Sequence, residues 1–405
     1  MTGNETPGDE QELAEELADA RRQRDAAVTR LRHLETSPSY RIGRAATWLP
    51  RALKSARAST RAFKSSAGPA TSAAIGLGAP IPLPVRSWTP MPLVDSPDVS
   101  VVIPVYNSEA WLEDCLSSVL AQTGVTLELI CVDDGSTDGS ASILQRISEK
   151  DERVRIVTQP NSGQSVGRNR GLSEATGRYL IYLDSDDFWQ GDLLSELVEN
   201  ADSAHLDLLL FDSFAFRDGE VASSTWERYA TYYQRSQEYR STRSGVQMLA
   251  DMRHQRDYRP HVGLYLTRTA FVRDAGTRFV PGIVHQDNPY TFSLLLHAER
   301  VAHVRLDFYA RRIRPGSTIT GLDDFRSAKG YYLSYLAMMR ELGSRDLAPD
   351  VSDMVTDVVH GVFRGAQQKI AYLPLEEVEA LAALDRSMDA QLVMRTLRPS
   401  RSRPR

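Results

Sequence analysis

Four short apolar runs, at residues 99–104, 127–132, 154–157 and 178–183, alternate with segments of helical spacing at 109–122, 138–149 and 164–175. This alternation is the strongest constraint on the fold. Parallel strands need long crossovers, so strands separated by helices of this length form parallel βαβ units. Ligands of such sheets gather outside the carboxyl ends of the strands. The second run ends in Asp133 and Asp134, and the fourth in Asp184, Asp186 and Asp187. Clustered acids repel unless a cation or polar partner offsets them. Mg²⁺ and Mn²⁺ take oxygen ligands and often share them with phosphates. The chain therefore reads as one that holds a phosphorylated ligand through a metal. Asp-x-Asp alone is common in turns; its place after an apolar strand, behind a second acidic strand end, gives it weight.

The chain has 405 residues, 41% of them hydrophobic, and a net charge of −5. Two or three domains of roughly 100–200 residues fit that length. The charge argues against a strongly basic nucleic-acid binder. Cys115 and Cys131 lie in apolar runs and read as reduced core thiols. No stretch approaches the ~20 apolar residues of a membrane span, and the polar, acidic start is unlike a signal peptide. The expected location is cytoplasmic, with a peripheral place on the inner face of the cell membrane if a basic arm binds lipid.

That arm is expected over residues 1–66, helical and partly disordered. Leu13, Leu17, Val28, Leu31 and Leu34 are spaced in a partly heptad-like way, over about three heptads. A self-associating helix, giving a homo-oligomer, and a solvated helix both stay open. Residues 37–94 contain no Asp or Glu, and their basic residues interleave with Tyr40, Trp48, Leu53 and Phe63. Residues 38–66 are read as a membrane-surface helix or as a helix docked on the catalytic domain with its basic face in water. Residues 67–97 form a linker rich in Pro, Gly, Ala and Ser. The globular domain runs over 98–320, a helical region over 321–397 and a disordered tail over 398–405. A further strand is expected at 206–211. Residues 215–260 read as irregular, polar and aromatic, able to shape a sugar or polymer site or simply to pack on the surface.

Five constellations carry chemistry. Pro104 and Tyr106 follow the first strand, where a ring can stack on a flat base or pack at the sheet edge. Asp133 and Asp134 can accept hydrogen bonds from a base or ribose, with Asp138 as the helix N-cap. Asn161, Gly163 and Arg168 lead into a helix; Gly163 admits close backbone approach and Arg168 offers a forked donor to phosphate. The pattern is neither a Walker A loop nor Gly-x-Gly-x-x-Gly, which disfavours kinases, simple P-loop ATPases and dinucleotide-dependent dehydrogenases. Asp287 can act as a general base or cap its helix, and His285 can orient it or ligate a metal. Finally Arg311, Arg312, Arg314, Ser317 and Thr318 form a loop able to clamp a diphosphate, or a solvated basic loop.

As an ordered set these motifs resemble family 2 glycosyltransferases with the A-type (GT-A) nucleotide-sugar fold. The residues that carry the likeness are 99–107 (Val-Ser-Val-Val-Ile-Pro-Val-Tyr-Asn), 131–138 (Cys-Val-Asp-Asp-Gly-Ser-Thr-Asp), 161–171 and 182–187 (Tyr-Leu-Asp-Ser-Asp-Asp). His285-Gln286-Asp287 and Arg312 to Thr318 follow in order. The resemblance covers about residues 98–320. It implies an α/β, Rossmann-like GT-A domain with an N-terminal helical arm and a C-terminal helical appendage, similar to bacterial cell-surface polysaccharide and teichoic-acid type transferases. It implies an inverting, Mn²⁺- or Mg²⁺-dependent transfer from a nucleotide-sugar donor, by default a UDP-sugar, to a glycan or lipid-linked acceptor. By resemblance, Pro104, Tyr106, Asp134, Asn161 and Arg168 hold the nucleotide, with Asp133 and Gly163 beside them. Asp184, Ser185 and Asp186 hold donor sugar and metal, with His285 a further metal ligand. Asp287 takes the acceptor proton, and Arg312, Arg314, Ser317 and Thr318 cover the diphosphate. Gln286 departs from the family's usual Glu. The alternatives are a non-catalytic scaffold of a surface-polymer complex and a sugar nucleotidyltransferase.

Overall fold

The computed structural model describes residues 87–317, 324–345, 347 and 349–397. The expected arm, most of the linker, Thr318 and the tail lie outside the described residues.

Strands β1 (Val99–Val105), β2 (Leu127–Asp133), β3 (Val154–Thr158) and β4 (Tyr179–Tyr182) run parallel in the order β3-β2-β1-β4. Helices α1 (Leu112–Leu120), α2 (Ser140–Ser148) and α3 (Gln164–Glu174) make the crossovers. The chain continues through β5 (Phe188–Trp189), α4 (Leu194–Ser203), β6 (Leu208–Arg217), α5 (Ser223–Tyr229), α6 (Gly245–His254), β7 (Tyr265–Arg268), α7 (Thr269–Asp274), α8 (Asp287–His297) and β8 (Val301–Ile313). These strands extend the sheet beyond β4 in the order β7-β6-β8-β5, with β7 antiparallel to both β4 and β6. Four helices follow: α9 (Asp324–Gly343), α10 (Pro349–Ile370), α11 (Leu375–Ala383) and α12 (Met388–Leu397).

Alternation along β1 divides the core. Val99, Val101, Ile103 and Val105 pack on one face with Cys115, Leu116 and Val119 of α1. Val102 points to the other face, where Ile130, Val132 and Leu172 meet Tyr332 and Leu336 of α9, Val359 of α10 and Leu381 of α11. The C-terminal helices thus share one apolar cluster with the parallel sheet. Each buried Val or Leu there contributes about 1.5–3 kcal/mol. Both cysteines are buried and free.

Close approach of α3 to the sheet depends on glycine. A Cβ at Gly171 would stand 2.2 Å from Val102 Cγ1, and one at Gly167 would stand 3.4 Å from Pro104 Cβ. The helix therefore lies flat on β1 and brings Arg168, between them, to the mouth of the sheet. Register does the rest. Val105 pairs with Asp133 and Val102 with Tyr182, so Asp133, Asp134 and Asp184 all emerge at one edge.

Two local expectations change. Residues 215–260 are not irregular throughout: α5 and α6 lie within them, and Ser244 and Gln247 form a capping box that starts α6. Asp138 is not the N-cap of α2, which is Gly139. Its carboxylate instead accepts the N–H groups of Ser140 and Glu109, each at 3.0 Å, tying the start of α2 to the segment before α1.

Candidate active site

At the β1 and β2 ends, Asp134 has both oxygens engaged. Oδ1 accepts Gln159 Nε2 at 2.7 Å and the Ser162 N–H at 2.9 Å, and Oδ2 accepts the Gly163 N–H at 2.7 Å. It holds the 159–163 loop in place, helped by Gly163 at φ +88°, a conformation suited to glycine. Asp133 accepts the Ser136 N–H at 3.0 Å. Tyr106 stands 48% exposed above them, and Asn161 is exposed at the loop tip. Pro104 is buried beneath, against Gly167. The structure brings all of these residues to one end of the cleft.

The fourth strand end forms the other half. Asp184 Oδ1 accepts Arg168 Nη2 at 2.6 Å and Gln164 Nε2 at 3.1 Å, and Oδ2 accepts Arg311 Nη1 at 2.7 Å. Burial works to raise its pKa, but Arg168 and Arg311 outweigh it and hold the carboxyl well below the usual range. Asp187 accepts Tyr309 Oη at 2.6 Å, the Arg312 N–H at 2.7 Å and the same Arg311 Nη1. Burial, with Asp186 and Asp184 nearby, pushes its pKa up against the pull of Arg311. Asp186 is more open and accepts Arg314 Nη2 at 2.9 Å, while Arg314 lies 3.8 Å over the Trp111 ring. Ser185 and Ser108 hydroxyls are 2.6 Å apart. Arginines thus offset the repulsion of the acidic cluster.

Asp287 opens α8 and accepts Arg168 Nη1 at 3.3 Å. Burial raises its pKa, with Asp184 adding to the rise and Arg168 opposing it. One buried guanidinium therefore joins the strand-end acid to the helix-start acid.

Two site expectations are corrected. His285 does not reach the acids: its Nε2 lies 3.1 Å from Ser327 Oγ and its ring stacks on Tyr331 at 3.9 Å. Burial lowers its pKa to about 4, so the ring is neutral and committed to α9. Arg312 does not present its guanidinium to a ligand. Nε donates to the Asp186 carbonyl and Nη1 to Asp218, each at 2.7 Å, and the group lies 4.9 Å over Phe216. Arg314 is the loop arginine that reaches Asp186. Ser317 is buried, and Thr318 lies outside the described residues.

Sequence reading missed His261; it placed Asp187 among the clustered acids and Arg311 in the diphosphate loop, but not the pairing of Arg311 with Asp184 and Asp187. His261 sits in a stretch with no motif, so only folding places its Nε2 4.0 Å from Asp184. Asp184, Asp187 and His261 bring potential ligand atoms within 4.8 Å of one another. Their chemistry does not suit a cation there. Arg311 bridges both carboxylates. His261 Nδ1 accepts the Gly263 N–H at 3.1 Å, so the neutral ring carries its proton on Nε2, the nitrogen facing Asp184. Asp186 is the more open acid and would take Mg²⁺ or Mn²⁺, whose shell is commonly completed by water and phosphate, if Arg314 gave way to the cation.

A mixed sheet with acids at the mouth of its parallel strands defines a GT-A nucleotide-sugar transferase fold. Residues 100–255 match the family model described as glycosyl transferase family 2. The likeness to that family rests on this segment of the chain. It is 31% identical to the uncharacterized glycosyltransferase EpsJ of Bacillus subtilis over 224 residues, 55% of this chain and 62% of that protein. It is 47% identical to the putative teichuronic acid biosynthesis glycosyltransferase TuaG of Bacillus subtilis over 116 residues, 28% of this chain and 43% of that protein. The matches span less than two thirds of each relative. In structure it resembles S. aureus TarS 1–349 solved with UDP-GlcNAc, with a TM-score of 0.55, 20% identity, and coverage of 74% of this chain and 88% of that one. That likeness concerns the fold alone.

Proposed function

We propose that the protein transfers a sugar from a nucleotide-diphosphate donor, a UDP-sugar, to a hydroxyl of a cell-envelope glycan or lipid-linked acceptor, with inversion. The observation that carries this reading is the Arg168 bridge, 2.6 Å to Asp184 and 3.3 Å to Asp287. It sets a general base beside the acids that would face the donor. A relative named for teichuronic acid biosynthesis and a TarS structure solved with UDP-GlcNAc support the donor and acceptor classes.

In the reaction, Asp287 accepts the proton of the acceptor hydroxyl as its oxygen bonds to the anomeric carbon. The bond from that carbon to the diphosphate oxygen breaks, and the nucleotide diphosphate leaves with the electron pair. A base is needed because the hydroxyl pKa lies far above neutrality. Attack from the face opposite the leaving group inverts the centre. Arg314 is the side chain placed to meet the charge developing on the diphosphate. Asp186 would hold Mn²⁺ or Mg²⁺, which would add positive charge at the same oxygens. Arg168 keeps Asp287 oriented while it neutralises Asp184.

Incubation with a panel of nucleotide sugars, with and without Mn²⁺, tests the reading through release of the nucleotide diphosphate. Release from one UDP-sugar, lost in Asp287→Asn, is expected. No turnover and no binding of any nucleotide sugar would overturn it.

A further inference from the structure

Contacts around Asp186 close into a ring. Arg314 donates to Asp186 Oδ2 from Nε at 3.1 Å and Nη2 at 2.9 Å, and its guanidinium carbon stands 3.8 Å over the Trp111 ring. Trp111 Nε1 donates to Asp218 Oδ2 at 3.2 Å. Arg312 Nη1 donates to that same oxygen at 2.7 Å, and its Nε donates to the Asp186 carbonyl at 2.7 Å. The circuit thus returns to Asp186. Its members come from the residue before α1, the turn after β4, the end of β6 and the end of β8.

The ring is also held from outside. Asp218 is placed by the β6–β8 pairing, in which Arg217 faces Ile313, and its N–H donates to the Ile313 carbonyl at 3.0 Å. Arg312 lies 4.9 Å over Phe216. Asp218 therefore has a fixed place from which to orient the indole. Trp111 is not core filling. Helix α1 turns Leu112, Cys115, Leu116 and Val119 inward, whereas Trp111 is half-buried and gives a face to Arg314. A guanidinium can stack on an aromatic face and still donate from its N–H groups in plane. The indole thus fixes the plane of Arg314 without consuming its donors.

We propose that Trp111 is a positioning residue that holds Arg314 ready for the donor diphosphate. This deepens the transfer reading and rests on it. Arginine is long and rotamer-rich, and ordering such a side chain at the moment of binding costs affinity. Stacking on Trp111 orders it before the ligand arrives. When Asp186 turns to a divalent cation, Arg314 keeps its place on the indole and its donors turn to the diphosphate oxygens. The uracil end of the ligand gains nothing from this contact, since its candidate residues, Tyr106 and Asp134, follow β1 and β2.

The test is calorimetry on the full chain with UDP and with uridine, both in the presence of Mn²⁺. Trp111→Leu should weaken UDP binding by roughly three- to thirtyfold and leave uridine binding unchanged. Trp111→Phe should recover part of the loss, because it keeps a ring face but has no N–H for Asp218. In an Arg314→Ala background Trp111→Leu should have no further effect, as expected of two residues that act as one unit. Trp111→Phe carries the same comparison if Trp111→Leu does not fold. An equal loss for UDP and uridine, or the same loss with and without Arg314, would overturn the positioning role. So would UDP binding that is unchanged in both Trp111 variants. Absence of UDP binding in the wild type would instead overturn the UDP-sugar reading beneath it.

Discussion

Arg168 holds Asp287 at 3.3 Å with a guanidinium that is itself buried to 1% exposure and anchored on Asp184. A planar guanidinium can address two carboxylates at once, which an ammonium cannot do with fixed geometry. The Asp287 carboxylate is thereby held in one orientation at the start of α8.

Burial raises the Asp287 pKa, and the carboxylate must be ionised to take a proton. Transfer should therefore fall as pH drops through a value above the ordinary Asp range of about 3.9. The acid limb of kcat/KM against pH checks this; a midpoint at or below that range would contradict it. Asp287→Asn should lower transfer by roughly 10²–10⁴-fold with nucleotide binding intact by calorimetry.

Arg168→Lys keeps the charge but leaves one of Asp184 and Asp287 short of its donor. A loss of about 1–3 kcal/mol of stability is expected. Transfer should fall further than UDP affinity does. Denaturant unfolding read beside steady-state kinetics separates the two effects, and an unchanged kcat would exclude the orienting role.

Arg314→Ala removes the side chain that donates to Asp186 from Nε at 3.1 Å and Nη2 at 2.9 Å. Mn²⁺ should bind the free protein more tightly, by about 1 kcal/mol, since the carboxylate no longer has a competing cation. UDP should bind more weakly. Because the same guanidinium covers Trp111, indole fluorescence should change as well. Weaker Mn²⁺ binding in the variant would show that Arg314 does not compete for Asp186.

Glu128 interrupts an otherwise apolar β2 and is 1% exposed. Its carboxylate accepts Ser100 Oγ at 2.6 Å, Thr176 Oγ1 at 2.7 Å and Arg155 Nη1 at 2.8 Å. It joins β1, β2, β3 and the turn before β4. Glu128→Ala should cost about 3–5 kcal/mol, since it strands buried donors. Urea midpoints at neutral pH measure this; a change below 1 kcal/mol would refute the pinning role.

Local pattern made much of the architecture legible. Apolar runs alternating with helical spacing announced the parallel β1–β4 unit, and the acids at the ends of β2 and β4 marked its mouth. Both signals depend only on neighbours in the chain, through burial period and the reach of a crossover. The aromatic stretch at 215–260 is visible as composition, and within it the Ser244 and Gln247 capping box is the local signal of a helix.

What the chain alone determined was therefore the order of strands and helices and the family that its domain resembles. Which acid met which arginine was decided only by the tertiary structure. Arg168, Arg311 and Arg314 are 16, 127 and 128 residues from the acids they hold, so no local spacing encodes those pairs. The same holds for His261, which reaches Asp184 from a segment without a motif, and for His285, which turned to Tyr331 because α9 offered a ring to stack on. Side-chain direction at such places follows from packing and charge balance among distant segments, and those exist only once the sheet has closed.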